Sequence, residues 1–236
     1  MGRLVFSSSC ARRRRRPLAS FVLAVAVGWT TACAYSPSLR PVGPPMGNRA
    51  FEAGLGAVGI VGQDRGGVGA SGWVTGRVAP DVLLVGRGHV AEAVPWDAEG
   101  GRLGQQRGRQ WGGAAGLRGL FTLRPGLLAG GELLLDYTQF SATDGAATST
   151  STQHFVSVVA SFPVAEEAFP GVYAYVQPAL GAGYRLGDVD VPFGGFFELP
   201  LGFAWQAQPG VLLLAEGGLS VPFSAGYVAL GAACRF

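Results

Sequence analysis

The sequence predicts an all-β protein: a transmembrane antiparallel up-and-down β-barrel of about ten strands, with eight and twelve the neighbouring counts. Three observations lead there. The 236 residues include 39 glycines and are 48% hydrophobic but only 14% charged, about half the charged fraction of an ordinary soluble domain. Beyond residue 50 no long stretch repeats with the helical period, and segments alternate residue by residue instead. Within those segments the charges fall on the face opposite the large apolar side chains.

The elements follow in chain order. Arg12–Arg16 precede Leu18–Trp29, a run of apolar or small residues. That run is too short to cross a hydrocarbon layer of ~30 Å as a helix, and basic-then-apolar is the order of a secretory signal peptide. Two cleavage sites overlap. Thr30-Thr31-Ala32-Cys33 resembles a bacterial lipobox, which makes Cys33 a lipidation candidate at the head of the mature chain, although Thr30 stands where leucine is usual. Ala32-Cys33-Ala34 is also an Ala-x-Ala site, which would discard the cysteine and leave Tyr35 first. The expected organisation is a signal peptide over 1–33 (cleaved before Cys33 or after Ala34), a Pro-rich tether over 34–50, and a barrel over 51–236. With Pro37, Pro41, Pro44 and Pro45 the tether reads as an extended, solvated spacer.

Removing the leader changes the charge. Six of the 18 basic residues lie in the first sixteen positions, all are arginine, and 12 then face 15 acidic residues. A near-neutral, slightly acidic chain is not a nucleic-acid binder by charge. Cys10 and Cys33 belong to the leader region and Cys234 stands alone, so there is no disulfide framework. Cys234 reads as a small apolar residue, buried or facing lipid.

Ten segments alternate between Pro, Gly and Asp punctuation: 51–61, 68–78, 81–92, 110–123, 127–139, 153–162, 171–185, 193–206, 210–220 and 226–236. In 193–206 one face carries Phe193, Gly195, Phe197, Leu199, Leu201, Phe203 and Trp205; the other carries Gly194, Phe196, Glu198, Pro200, Gly202, Ala204 and Gln206. Across the segments Glu52, Arg77, Arg87, Arg118, Glu132, Asp136, Arg185, Glu198, Glu216 and Arg235 all take the small or polar face, five of each sign. A soluble sandwich needs the opposite arrangement. Charges pointing into an enclosed interior, with apolar groups outward, are favourable only in hydrocarbon, where the sheet must close on itself.

Two regularities agree. Aromatics of outward parity sit at strand ends: Phe51, Phe121, Phe162, Trp205 and Phe236 at one level, Trp111, Tyr137, Tyr184 and Phe193 at the other. Connections alternate between tight turns (Ala79-Pro80, Arg124–Gly126, Ala207–Pro209, and a longer Pro163–Pro170) and longer loops (Val94–Arg109, Phe140–Thr152, Leu186–Pro192). The last segment, Tyr227–Phe236, alternates and closes on a terminal Phe.

On these residues the chain resembles the small bacterial outer-membrane β-barrel proteins over 51–236. Phe236 looks like the end of their assembly signal. The resemblance implies an outer-membrane location with both ends periplasmic, the outer-membrane lipids and the barrel-assembly machinery as partners, and envelope proteins reached through the outer loops or the tether.

Function is carried by few residues. The ten inward charges read first as a mutually paired network filling the lumen, and secondly as the lining of a narrow ion or small-solute channel. Eight to ten strands leave too little room for a wide pore. His89 and His154 are the only histidines; His154 with Asp144 and Ser151 imitates an outer-rim catalytic group of a lipid- or peptide-cleaving enzyme, but no Asp-x-His or His-x-Ser motif supports it. Asp188 and Asp190, with Asp97, Glu99 or Asp144, fall far short of a calcium signature. The expectation is a structural or interaction role, with no catalysis, no cofactor and no metal.

Overall fold

Alternation of apolar and small or polar residues puts two different chemistries on the two faces of a strand, and a sheet with one continuous apolar face must close or cover it. In the computed structural model the sheet closes. The structure describes residues 39–62, 65–95, 107–143, 150–186, 193–221 and 225–236. Among them are twelve strands: β1 (Phe51–Gly62), β2 (Arg65–Ala79), β3 (Val82–Pro95), β4 (Arg107–Arg124), β5 (Leu127–Thr143), β6 (Thr150–Ser161), β7 (Val164–Phe169), β8 (Val172–Val176), β9 (Ala179–Leu186), β10 (Phe193–Gln208), β11 (Val211–Val221) and β12 (Ala225–Arg235).

All pairings are antiparallel, and ten strands form a ring in the order β1-β2-β3-β4-β5-β6-β9-β10-β11-β12. It closes between β1 and β12, with Glu52 opposite Arg235 and Gly62 opposite Ala225. The two extra strands are continuations, not additions. β7 extends β6 along β5 after a break at Phe162-Pro163, and β8 precedes β9 along β10 with a break at Gln177-Pro178. Proline has no N–H for the ladder, so each long wall strand is split in two. The segment Pro163–Pro170, expected as a longish turn, is therefore mostly strand β7, and the reversal shrinks to Pro170-Gly171.

Four tight turns and both barrel ends share one rim. Pro125-Gly126, Pro170-Gly171 and Pro209-Gly210 pair proline with a glycine at φ of 80°, 75° and 96°, the combination a type II turn requires. The strand entering each turn carries a register shift, at Arg77/Ala79, Thr122/Arg124, Glu167/Phe169 and Gln206/Gln208. At the same rim Ala50 N–H donates to the Phe236 carbonyl at 2.9 Å, and Phe236 N–H to the Phe51 carbonyl at 2.9 Å.

The outward face is apolar. Leu55 is 76% exposed and Val68 73%, and Leu84, Leu117, Leu133, Leu135, Leu201, Phe203 and Leu230 are exposed with them. Cys234 is exposed on the same face.

The stretch expected to be a solvated spacer is not solvated. Residues 39–44 and Met46 are buried, with Leu39 at 1% exposure and Val42 at 0%. From its junction with β1 the chain turns at Gly47, φ 60°, and runs back inside the barrel. Leu39 and Val42 pack with Val58, Trp73, Leu212 and Leu214, and Met46 with Leu83 and Val85. The reason is room and shape: inward Gly56 and Gly231 leave a notch in which Leu39 sits. A methyl built on either would stand 2.2 Å or 2.7 Å from Leu39 Cδ1.

Candidate functional site

The lumen holds nearly every side chain able to do chemistry, and it is organised around carboxylates. Glu132, on β5, lies opposite Arg118 of β4 and Ser161 of β6. Its carboxylate accepts from Arg87 Nη2 at 2.5 and 2.6 Å, from Arg118 Nε at 2.6 Å, from Gln177 Nε2 at 3.1 Å and from Ser161 Oγ at 3.2 Å. Four donor groups on one buried carboxylate satisfy it fully, the condition under which burial of charge is tolerable.

Near the turn rim Glu52 and Arg235, paired in register, are also paired in charge, with Arg235 Nε 2.7 Å from Glu52 Oε2. The other Glu52 oxygen accepts from Trp73 Nε1 at 3.0 Å. Glu216 on β11 accepts from Tyr175 OH at 2.7 Å, from Tyr227 OH, and from the backbone N–H of Arg40 at 3.1 Å. Glu198 on β10 is ion-paired with the Arg40 guanidinium. Arg118 Nη1 donates to the Pro41 carbonyl at 2.6 Å. The inner segment is thus bolted to the wall through both its side chain and its backbone.

Of the ten charges expected in the lumen, Glu52, Arg87, Arg118, Glu132, Asp136, Glu198 and Glu216 are buried, and Arg235 has a side chain only 6% exposed. Asp136 accepts from Thr138 at 3.0 Å. Arg77 and Arg185, closer to the two rims, are half-buried. The network brings most of them together in a central band. Two groups were missed by reading the sequence. Arg40 lies in a proline-rich stretch with no periodicity to assign it a face. The inward aromatics are Trp73, Phe155, Tyr173, Tyr175, Phe196 and Tyr227; Phe196 and Tyr227 have inward parity in their segments, but packing of rings around the charges was not expected. The residues opposite them are the signal that was available: glycine at 54, 181, 202 and 218 leaves room for the rings of Trp73, Phe196, Tyr175 and Tyr227.

The histidines are not brought together. His89 is buried in the lumen, its Nε2 3.3 Å from Gln110 Nε2. His154 accompanies Tyr137 on the outer face at the loop rim, with Nδ1 2.7 Å from the Tyr137 hydroxyl and the Trp111 ring tilted at 59° to the Tyr137 ring, 5.6 Å away. Asp97, Glu99, Asp144, Asp188 and Asp190 lie outside the described residues, as do residues 1–38 with Cys33. Among the described residues no group of three or more His, Cys, Asp or Glu is placed to hold a metal ion.

An even-stranded closed antiparallel barrel, apolar outside and ionic inside, with tight turns on one rim, is stable only with hydrocarbon around it, and is how barrels of the bacterial outer membrane are built. The chain is an outer-membrane β-barrel.

No protein-family model and no curated protein matches the sequence. Among solved structures the barrel is similar to the outer membrane protease OmpT from Escherichia coli (7% identity, TM-score 0.45, covering 80% of this chain and 94% of that one). It is also similar to the β domain of the Bordetella autotransporter BrkA (12% identity, TM-score 0.46, 79% and 99%). A third is the Neisserial surface protein A (11% identity, TM-score 0.41, 79% and 97%).

Proposed function

We propose that this protein is a sealed barrel with a structural or interaction role at the cell envelope and no catalytic activity. The observation that carries the reading is the filled lumen. Residues 39–46 occupy it, Glu198 ion-pairs with the segment's Arg40, and Arg87 and Arg118 pair with Glu132 along the wall beside it. A barrel of this size has little free interior to begin with, and here the chain itself takes up much of what remains, leaving a cavity of about 290 Å³ between the segment and the wall near the turn rim. The non-catalytic part of the reading is drawn from the sequence, which carries no Asp-x-His or His-x-Ser motif; among the described residues His89 lies against the Gln110 amide and His154 against the Tyr137 hydroxyl.

In this reading the outer-membrane lipids are the solvent of the apolar belt, and the strand ending at Phe236 is what the barrel-assembly machinery engages. Envelope proteins meet the outer loops. Cys33, if retained, adds a lipid anchor near the start of the inner segment. The near-neutral mature chain gives nucleic acid nothing to bind.

Planar-bilayer recording of the purified full chain tests the proposal. The expected record has no stable open level. A steady conductance from the unaltered protein would overturn the sealed reading in favour of a narrow channel.

A further inference from the structure

We propose that Glu198 is a guanidinium-binding group of the barrel wall, with Glu216 (itself held by the Tyr175 and Tyr227 hydroxyls) taking the backbone N–H of Arg40, and that residues 39–46 are a tethered ligand filling this site and closing a latent cation-selective conduit. The inference rests on the sealed reading above and names the device that does the sealing.

Two observations separate the inner segment from the architecture of the wall. First, among the described residues it forms no strand ladder with the barrel. Its polar links to the wall are the Arg40 guanidinium on Glu198, the Arg40 N–H on Glu216 and the Pro41 carbonyl on Arg118. It can leave without any sheet bond breaking. Second, the two kinds of carboxylate are held differently. Glu132 is gripped by four wall donors and needs nothing from the segment. Among the described residues Arg40 is the one cation within ion-pair distance of Glu198, and the wall supplies Glu216 with two neutral hydroxyls. Without Arg40, Glu198 has no ion-pair partner among the described residues and Glu216 has only neutral donors, and carboxylates lining a conduit favour cations.

The segment enters from the turn rim, where Arg49 Nη1 donates to the Arg235 carbonyl at 2.7 Å. Arg40 is therefore a ligand on a short leash, residues 41–50 before β1. Short flexible tethers supply effective concentrations of about millimolar, so a free guanidinium compound at about that concentration should replace the missing side chain.

The test compares the full-length protein with Arg40→Ala, Glu198→Gln and the double variant in planar bilayers, each first shown to be folded by its heat-modifiable migration. Arg40→Ala is expected to gain an open level that passes potassium in preference to chloride, and ethylguanidinium at about millimolar concentration should close it. The double variant should conduct but lose most of its cation preference and its sensitivity to ethylguanidinium. A second reading uses Val42→Cys in a Cys234→Ala background: inert to a charged thiol reagent with Arg40 present, labelled once Arg40 is alanine. Should Arg40→Ala fail to fold, Arg40→Lys is expected to give partial opening with the same block. A folded Arg40 variant that stays silent and leaves Val42→Cys inert would overturn the proposal, as would one that conducts without cation preference or block. Conductance in the unaltered protein would instead overturn the sealed reading on which the proposal stands.

Discussion

Glu132 shows how one residue ties the wall together. It sits on β5, its donors come from β3, β4, β6 and the β8–β9 break, and its carboxylate is buried. Removing one partner of such a pair leaves the others charged in a dry place, at a cost of about 3–5 kcal/mol. Glu132→Gln should lower the temperature at which the barrel loses its compact, heat-modifiable form by far more than Arg124→Gln, whose ion pair with Glu166 is exposed to water. Equal shifts in the two variants, read from gel migration against temperature, would deny Glu132 its central place. Parity alone made Glu132 and its neighbours legible in the sequence, because a strand residue has only two directions to point. Arg40 was not legible for the opposite reason: between Pro37 and Pro45 there is no repeating pattern, and a buried cation there is visible only once Glu198 is in place beside it.

At the scale of elements, the ring of ten strands matches the ten alternating segments of the sequence, and the differences have local causes. Pro163 and Pro178 interrupt two wall strands because proline cannot donate to the ladder, yet the chain resumes the same path on the far side. Pro170-Gly171 then makes the reversal that a whole proline-flanked segment seemed to require. Gly171 has φ of 75°, where an L side chain, above all a β-branched one, is strained by roughly 1–3 kcal/mol. Gly171→Val should destabilise the barrel by about that much, whereas Gly131→Ala, at a glycine with open space around its Cα, should be nearly silent. Thermal unfolding followed by circular dichroism distinguishes them, and similar losses in both would argue against the turn. The strand ends also run further than punctuation suggests: β3 continues to Pro95 and β4 begins at Arg107, since the ladder continues past the last clearly alternating residue.

For the whole molecule, everything depends on an inverted distribution of polarity. Ionic and aromatic groups fill the inside together with a segment of the chain's own N-terminal region, and aliphatic groups form the surface. That arrangement would aggregate in water and is stable in a bilayer. The most direct measurement is a nitroxide scan along β10 of the reconstituted protein, one labelled cysteine at a time from position 197 to 204 in a Cys234→Ala background. Labels at 197, 199, 201 and 203 should collide readily with oxygen dissolved in the acyl chains and poorly with a water-soluble nickel chelate. Labels at 198, 202 and 204 should be shielded from both. Were the pattern reversed, with 201 and 203 shielded and 198 open to the chelate, the protein would be built as a soluble one and the account would fail.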